Sequence, residues 1–111
     1  MAKTIDFTEA RIRQYIEAMR PPEEIRDQLD IAYTYEKNTL VIMEVFPGWL
    51  DESVKEHLEV AKARYFKTKK IWKIYWMRAG KRWEAYHPMP EANDISVFFE
   101  ELAKDEFGFF W

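Results

Sequence analysis

The sequence contains no cysteine, which excludes disulfide bonds, thiolate nucleophiles and cysteine-based zinc sites. Its three glycines form no glycine-rich phosphate loop, and neither a G-x-S-x-G elbow nor an H-E-x-x-H motif occurs. The serines are Ser53 and Ser96, and the imidazoles are His57 and His87. Because so little of the usual catalytic chemistry is present, we expect a non-enzymatic protein with no catalytic residues, metal or cofactor.

Long apolar runs are also missing. The longest aliphatic run, Leu40 to Met43, is far shorter than a membrane span, and the first residues form no apolar leader. A chain of 111 residues suits one domain with its own core. We therefore expect a single cytoplasmic domain over residues 1–111 that does not bind membranes.

Helical periodicity is found near both ends of the chain. A helix is predicted from Phe7 to Met19 and stops before Pro21-Pro22, and a second follows a cap at Asn93 or Asp94. Their apolar stripes repeat at i, i+3, i+4 and i+7: Ile12, Tyr15, Ile16 and Met19 in the first helix, and Ile95, Phe98, Phe99 and Leu102 in the second.

Between the helices the pattern alternates, as in strands. A hairpin is predicted from Leu29–Glu36 and Thr39–Phe46 around Lys37-Asn38, followed by an acidic loop from Leu50 to Leu58. Three further strands are predicted at Val60–Phe66, Ile71–Arg78 and Arg82–His87. The fold class is therefore α+β, a five-stranded antiparallel meander with both helices packed on one face of the sheet.

Charge is strongly segregated along the chain. Residues 60–83 carry nine cations and no acid, while the remaining 87 residues carry all 20 acids and eight cations. The total charge is only −3, which argues against polyanion binding over the whole surface. A local basic patch nevertheless acts over about 8 Å at physiological salt.

The register of the last three strands predicts which side chains share a face, because cross-strand partners project to the same side. If both turns have an even number of residues, four at Lys67–Lys70 and two at Ala79-Gly80, then Trp72, Trp76 and Trp83 lie beneath the helices. The opposite face then collects cations and aromatic rings, a combination that binds phosphates and stacks bases. The predicted polyanion-binding residues are Lys62, Arg64, Phe66, Lys73, Tyr75, Arg82 and Tyr86.

Three interpretations of this face remain open. The face could bind single-stranded nucleic acid or another polyanion, or it could bind an acidic protein. Its cations could also simply pack their alkyl stems over neighbouring rings. The acidic segment 50–59, with Asp51, Glu52, Glu56 and Glu59, could fold over the face and neutralise it.

A metal-dependent enzyme is a weaker alternative. Asp30, Glu44 and Glu59 with Lys62 have the residue types of a metal-dependent nuclease, but their spacing is loose. A site of His57 and His87 with Glu56 or Glu84 rests on composition alone.

The C-terminal aromatic cluster has two interpretations. Burial beneath the domain beside the last helix is favoured, and a homodimer interface is the alternative. The cluster consists of Phe107, Phe109, Phe110 and Trp111. Trp49 has the same two interpretations, and closure of the core is again favoured.

Four segments together resemble a bacterial family, domain of unknown function 3024. They are R-P-P-E-E-I-R-D-Q-L-D-I-A-Y at 20–33, K-T-K-K-I-W-K-I-Y-W-M-R-A at 67–79, W-E-A-Y-H-P at 83–88 and D-E-F-G-F-F at 105–110. The resemblance spans most of the chain and implies a small intracellular bacterial domain. It supplies neither an activity nor site residues, and the ending Phe109-Phe110-Trp111 is more aromatic than the family pattern suggests.

Overall fold

The computed structural model of the chain describes residues 7–79 and 81–111. Its helices are α1 Phe7–Met19 and α2 Ile95–Lys104, with a short 3-10 helix at Glu23–Ile25. The strands are β1 Asp30–Glu36, β2 Thr39–Pro47, β3 Lys55–Phe66, β4 Ile71–Arg78, β5 Arg82–Ala85 and β6 Glu91–Ala92. The α+β class with a helix at each end of an antiparallel meander is confirmed. Gly80, part of the expected turn after Arg78, lies outside the described residues.

The two helices cover one side of the sheet, which we call the helix side. The predicted stripes supply its buried residues, with Ile12 and Ile16 from α1 and Phe98 and Leu102 from α2. The sheet contributes Leu40, Ile42, Ala61, Ala63, Trp72 and Ile74. Side chains alternate along each strand, so their neighbours point to the opposite side, which we call the open face.

The helix ends are fixed by side-chain contacts. The Asp94 carboxylate caps α2 by accepting from the Ser96 backbone N–H at 3.0 Å. Arg11 of α1 donates to both Asp94 oxygens, at 3.1 and 2.7 Å, and so joins the two helices. Arg20, after α1, donates to both Asp30 oxygens at the start of β1, at 2.9 and 2.8 Å.

The first hairpin forms as predicted. Glu36 pairs with Thr39, and both turn residues have positive φ, 50° at Lys37 and 61° at Asn38. This is the pattern of a type I′ turn, whose twist matches that of the flanking strands.

β3 is longer than predicted and corrects the expected loop. It begins at Lys55, and Pro47 pairs with Lys55 at the far end of its ladder with β2. A β-bulge at Val60 interrupts the register, and the residues before it are exposed on both sides. An exposed ribbon needs no alternation of apolar residues, so residues 55–59 gave no strand signal.

The predicted register between β4 and β5 is wrong by one residue. Arg78 pairs with Arg82 rather than with Lys81, because residues 79–81 form a three-residue connection. A one-residue shift moves every side chain of the strand to the other face. Met77 therefore lies beside Trp83, and Trp76 beside Glu84.

The edge strand next to β4 is broken in two. The Tyr86 N–H donates to the Ile74 carbonyl and the Ile74 N–H donates to the Pro90 carbonyl, each at 2.9 Å. The intervening residues leave the sheet, and β6 then resumes the pairing, with Ala92 opposite Trp72. Proline has no backbone donor, and an edge tolerates this loss.

Candidate nucleic-acid interface

The register of β3 and β4 creates a mixed basic and aromatic surface, as predicted. Lys62 pairs with Tyr75, Arg64 with Lys73 and Phe66 with Ile71, so these side chains share the open face. Trp83 joins them because β5 is shifted by one residue. We call this surface the basic–aromatic face and define it as Lys62, Arg64, Phe66, Lys73, Tyr75 and Trp83.

Each cation of this face lies over an aromatic ring. The Lys62 ammonium lies between two rings, 4.7 Å from the centroid of Tyr75 and 4.9 Å from that of Trp83. Two cations converge on Phe66, the Arg64 guanidinium at 5.3 Å and the Lys73 ammonium at 4.8 Å. These contacts fix the side chains at a cost in mobility without removing their charge.

The cations of the face are not neutralised by nearby acids. Over residues 7–79 and 81–111, Lys62, Arg64 and Lys73 form no salt bridge. Partial burial, and then the charge of Arg64, lower the pKa of Lys62, while Glu59 acts in the opposite direction. Glu91 pairs with Lys73 across the strands, but the Lys73 ammonium lies over Phe66 instead. The face therefore keeps a positive potential.

Two predicted members of the face lie elsewhere. Arg82 and Tyr86 project to the helix side, because the connection between β4 and β5 has an odd number of residues. Arg82 and Arg78 each approach Glu84 Oε1 at 3.1 Å, and Arg78 is the main cause of the lowered pKa of Glu84. Tyr86 is fully buried, with its ring 4.6 Å from that of Phe110.

Trp83 is the residue that the sequence reasoning placed wrongly on the core side. Its position depends on the length of the connection, and hairpin loops of two residues and of three residues, the latter with a residue at positive φ, are both common, so the sequence alone does not decide between them. The structure has the three-residue loop. Ala79 has φ of 53°. With that turn length, Trp83 falls on the open face and Tyr86 in the core.

The acidic segment 50–59 does not cover the basic–aromatic face. Residues 55–59 continue the line of β3 away from Lys62, and Asp51, Glu52, Glu56 and Glu59 are exposed. Closure of the core by Trp49 is also wrong, since its side chain is 86% exposed at the tip of the β2–β3 connection. The ladder with β2 covers residues 55–59 and holds them extended, which prevents the segment from folding back.

The C-terminal aromatic cluster is divided between core and surface. Phe110 is buried, and the Phe109 ring lies 4.6 Å from Trp76 and 5.6 Å from Tyr86. Phe107 and Trp111 are 56% and 44% exposed, and the Trp111 indole N–H donates to the Leu102 carbonyl at 3.0 Å. The favoured burial of the cluster is thus found for only part of it.

The acids proposed for a metal site do not assemble. Among the residues that the structure describes, no three His, Asp or Glu side chains form a group able to hold a metal. Asp30 is engaged by Arg20, and Glu44 pairs with the core residue Ile31. A polar cleft of about 320 Å³ lies elsewhere, at the first turns of both helices, and the carboxylate lining it, Asp94, is held by Arg11 and Ser96.

The fold and this surface define a small α+β domain with a basic–aromatic sheet face. Comparison of the sequence with known families gives a match over residues 2–111 to the domain of unknown function DUF3024. The chain belongs to this family, as the resemblance indicated. No curated protein and no solved structure matches the chain significantly. Within the described residues, we find no helix with the length and hydropathy needed to cross a membrane.

Proposed function

We propose that this protein is a non-enzymatic module that binds single-stranded nucleic acid on its basic–aromatic face. The observation that carries the proposal is the arrangement of Lys62, Arg64 and Lys73, three cations without acidic partners in the described chain, each over an aromatic ring. Such a surface offers charge to phosphates and flat groups to bases.

The geometry favours a single strand over a duplex. Bases in a duplex are stacked on one another, whereas those of a single strand are free to stack on protein groups. The planar Arg64 guanidinium, held over Phe66, is itself a surface on which a base can stack. Each stacked base contributes roughly 1–3 kcal/mol.

The alternative that the cations only pack over rings makes a different prediction. Packing alone stabilises the fold and requires no ligand. The two interpretations therefore separate in a binding measurement, in which only the first predicts an affinity that falls with salt.

The test is the fluorescence anisotropy of a labelled mixed-sequence single-stranded oligonucleotide, titrated with protein at several salt concentrations. If Lys62, Arg64 and Lys73 all contact phosphates, the log–log slope of affinity against salt should be about −2. The double variant Arg64→Glu/Lys73→Glu should abolish binding while its melting temperature changes little. An unlabelled duplex should compete poorly.

A charge-matched control lies on the helix side of the same sheet. Arg78→Glu/Arg82→Glu changes the net charge by the same amount, but these residues face away from the basic–aromatic face and flank Glu84. This variant should bind the oligonucleotide within about twofold of wild type at matched salt. Wild-type protein with no salt-sensitive binding, or a control that loses binding as completely as the double variant, would refute the proposal.

A homodimer through the C-terminal cluster is a second candidate function. The exposure of Phe107 and Trp111 supports it, because exposed apolar patches mark interaction surfaces. Deleting the whole end would also remove the buried Phe110, so the suitable change is Phe107→Glu. If this interface forms, light scattering should show a wild-type dimer and a monomeric variant, and a wild-type monomer would exclude it.

The proposed ligand also suggests a location and a chemistry. Single-stranded RNA and DNA are found in the cytosol, and we place the protein there. Binding through cations and rings requires no cofactor.

A further inference from the structure

The β2–β3 connection forms an exposed, apolar projection. We call residues 43–59 the arm: they comprise the paired segments beyond the bulge, from Met43 opposite Glu59 to Pro47 opposite Lys55, and the loop 48–54. Trp49 and Leu50 at its tip are 86% and 84% exposed. Large neighbouring apolar side chains left in water mark a contact surface for another molecule.

The tip of the arm is ordered by its own hydrogen bonds. The Gly48 N–H donates to the Val54 carbonyl at 2.8 Å, and the Val54 N–H to the Asp51 carbonyl at 3.1 Å. A side chain at Gly48 would approach the Asp51 carbonyl oxygen to 2.9 Å, so this tight turn requires glycine. The exposure of Trp49 therefore belongs to a defined loop conformation.

The arm is also acidic, which restricts what it can contact. Asp51, Glu52, Glu56 and Glu59 are exposed, and none forms a salt bridge within residues 7–79 and 81–111. These carboxylates repel phosphates, so neither nucleic acid nor an anionic lipid surface suits the arm. Its natural complement is a basic surface that also offers aromatic groups.

The basic–aromatic face has this character, but the tip of the arm cannot reach it within one molecule; only Glu59, at the base of the arm, acts on Lys62. Both lie on β3, the arm at Lys55–Glu59 and the face at Lys62–Phe66. At about 3.3 Å per residue, Lys55 and Arg64 are roughly 30 Å apart along the strand. Pairing with β2 along both segments keeps the strand extended, so the complement has to come from a second copy.

We propose that the arm of one copy docks on the basic–aromatic face of a second copy and thereby competes with nucleic acid. Trp49 and Leu50 pack against the partly buried Phe66 ring and the alkyl stems of the cations beside it, and the arm carboxylates approach Arg64 and Lys73. Each copy has one arm and one face, so a reciprocal exchange closes as a twofold dimer. The competition rests on the proposed function, but the association of the copies does not.

The first test is the mass of the wild-type protein by light scattering as salt is raised. We expect twice the mass of one chain at low salt, falling to one chain as salt screens the contact. Glu52→Lys/Glu56→Lys, which reverses the charge of the arm, should be monomeric at every salt concentration. Its oligonucleotide affinity at low salt should be several-fold higher than that of wild type, because the competing arm no longer occupies the face.

The matched control is Glu100→Lys/Glu106→Lys, which makes the same charge change at exposed positions in and after α2. It should dimerise like wild type. A control that loses the dimer as completely would show that net charge, and not the arm, governs association, and would overturn the inference.

A charge-swap experiment supplies the decisive test. Arg64→Glu/Lys73→Glu and Glu52→Lys/Glu56→Lys should each be monomeric alone and should associate when mixed, because the reversed arm then meets a reversed face. A mixture that stays monomeric, or a wild type that is monomeric at low salt, overturns the docking of the arm. If the mixed variants associate but wild type binds no oligonucleotide, the proposed function alone is refuted. If wild type is monomeric but binds the oligonucleotide in a salt-sensitive way, the docking alone is refuted.

Discussion

Tyr86 lies on the opposite side of the sheet from its predicted position, because the preceding turn is one residue longer than predicted. Its ring is fully buried, and its hydroxyl donates to Glu101 Oε2 at 3.2 Å. Burial first, and then the charge of Glu101, raise the pKa of Tyr86 from its usual 10.0 to about 12. A residue expected to contact ligand is therefore part of the core, where ionisation is opposed.

Tyr86→Phe should lower the free energy of unfolding by about 1 kcal/mol at neutral pH, because it removes a buried hydrogen bond. The unfolded tyrosine ionises near pH 10 and the folded one near pH 12, so wild type loses stability as the pH rises through this window. The variant lacks this loss, so the difference in free energy of unfolding between wild type and the variant should become smaller. Urea unfolding of both proteins at neutral pH and between pH 10 and 12 measures this difference in free energy of unfolding.

The control for this prediction is Tyr75→Phe, which removes the same atom on the open face. At neutral pH its free energy of unfolding should lie closer to that of wild type than that of Tyr86→Phe does, because the Tyr75 side chain is only partly buried. A constant gap between wild type and Tyr86→Phe up to pH 12 would contradict the assignment of Tyr86 to the core.

Asp94 combines a helix cap with an ion pair. Asp94→Ala should cost about 1–2 kcal/mol, because α2 loses its N-cap. Asp94→Asn keeps a capping oxygen and loses the charge opposite Arg11, and both partners are nearly half exposed, so it should cost only about 0.5 kcal/mol.

The pH dependence of the Asp94 effect follows from its hydrogen bonds. Arg11, and then Ser96, hold the pKa of Asp94 well below its usual 3.8. The charge therefore stabilises the fold above pH 3.8, and this stabilisation is lost as the pH falls toward the folded value. Chemical denaturation at several pH values should give free energies of unfolding for wild type and Asp94→Asn that converge below pH 3.8. An undiminished difference at that pH would show that the ion pair with Arg11 does not stabilise the fold.

At the scale of elements, the predictable parts were those with a buried stripe. Both helices bury residues of their i, i+3, i+4, i+7 stripes, and β3 and β4 pair in the predicted register. This register is why five of the predicted face residues lie together: Lys62, Arg64, Phe66, Lys73 and Tyr75. Hydrophobic burial leaves a period in the sequence, and that period can be read directly.

The elements that could not be predicted have no such hydrophobic period in their sequence. The first half of β3 is exposed on both sides, so its side chains are not selected for alternation. The β4–β5 connection can close with two or three residues, and local propensity does not choose between them. The choice is made by packing, since only the longer turn buries Tyr86 against Phe110.

The arm should be dispensable for folding, because its tip contributes little to the core. Replacing residues 47–55 by Asn-Gly, a two-residue hairpin turn, should lower the melting temperature by only a few degrees. Between the arm and the rest of the protein, this replacement removes the hydrogen bond that the Lys55 ammonium donates to the Asp27 carbonyl, which is 2.7 Å long. Thermal unfolding followed by circular dichroism tests this, and loss of the folded state would show that the arm supports the sheet.

At the scale of the whole molecule, charge and burial are organised separately. The positive segment 60–83 is folded so that Lys62, Arg64 and Lys73 share the open face, while Arg78 and Arg82 are matched by Glu84 on the helix side. Five acids lie in the arm and six in the helices. The near-neutral total of −3 therefore conceals a molecule with two oppositely charged surfaces, which suits steering of a charged partner.

Burial, in contrast, is continuous. One cluster joins residues from both helices, from β1 to β4 and from the C-terminal segment, including Ile12, Ile31, Ile74, Phe98 and Phe110. Contiguous packing of this kind makes the elements depend on one another. We therefore predict that residues 1–111 form a single cooperative domain.

A single domain should unfold in one transition. Far-UV circular dichroism follows the helices and strands, while fluorescence follows the tryptophans, among them the buried Trp72, and the two curves should coincide. Calorimetric and van't Hoff enthalpies should agree at about 80 kcal/mol, the value expected for a chain of this length. Trp49→Phe removes an exposed reporter that senses the arm rather than the core, so it should leave the midpoint unchanged. Two separated transitions would contradict the prediction of a single domain. They would mean that the edge formed by β5 and β6 unfolds independently of the hairpin and helices, although Tyr86 packs against Phe110 in the core.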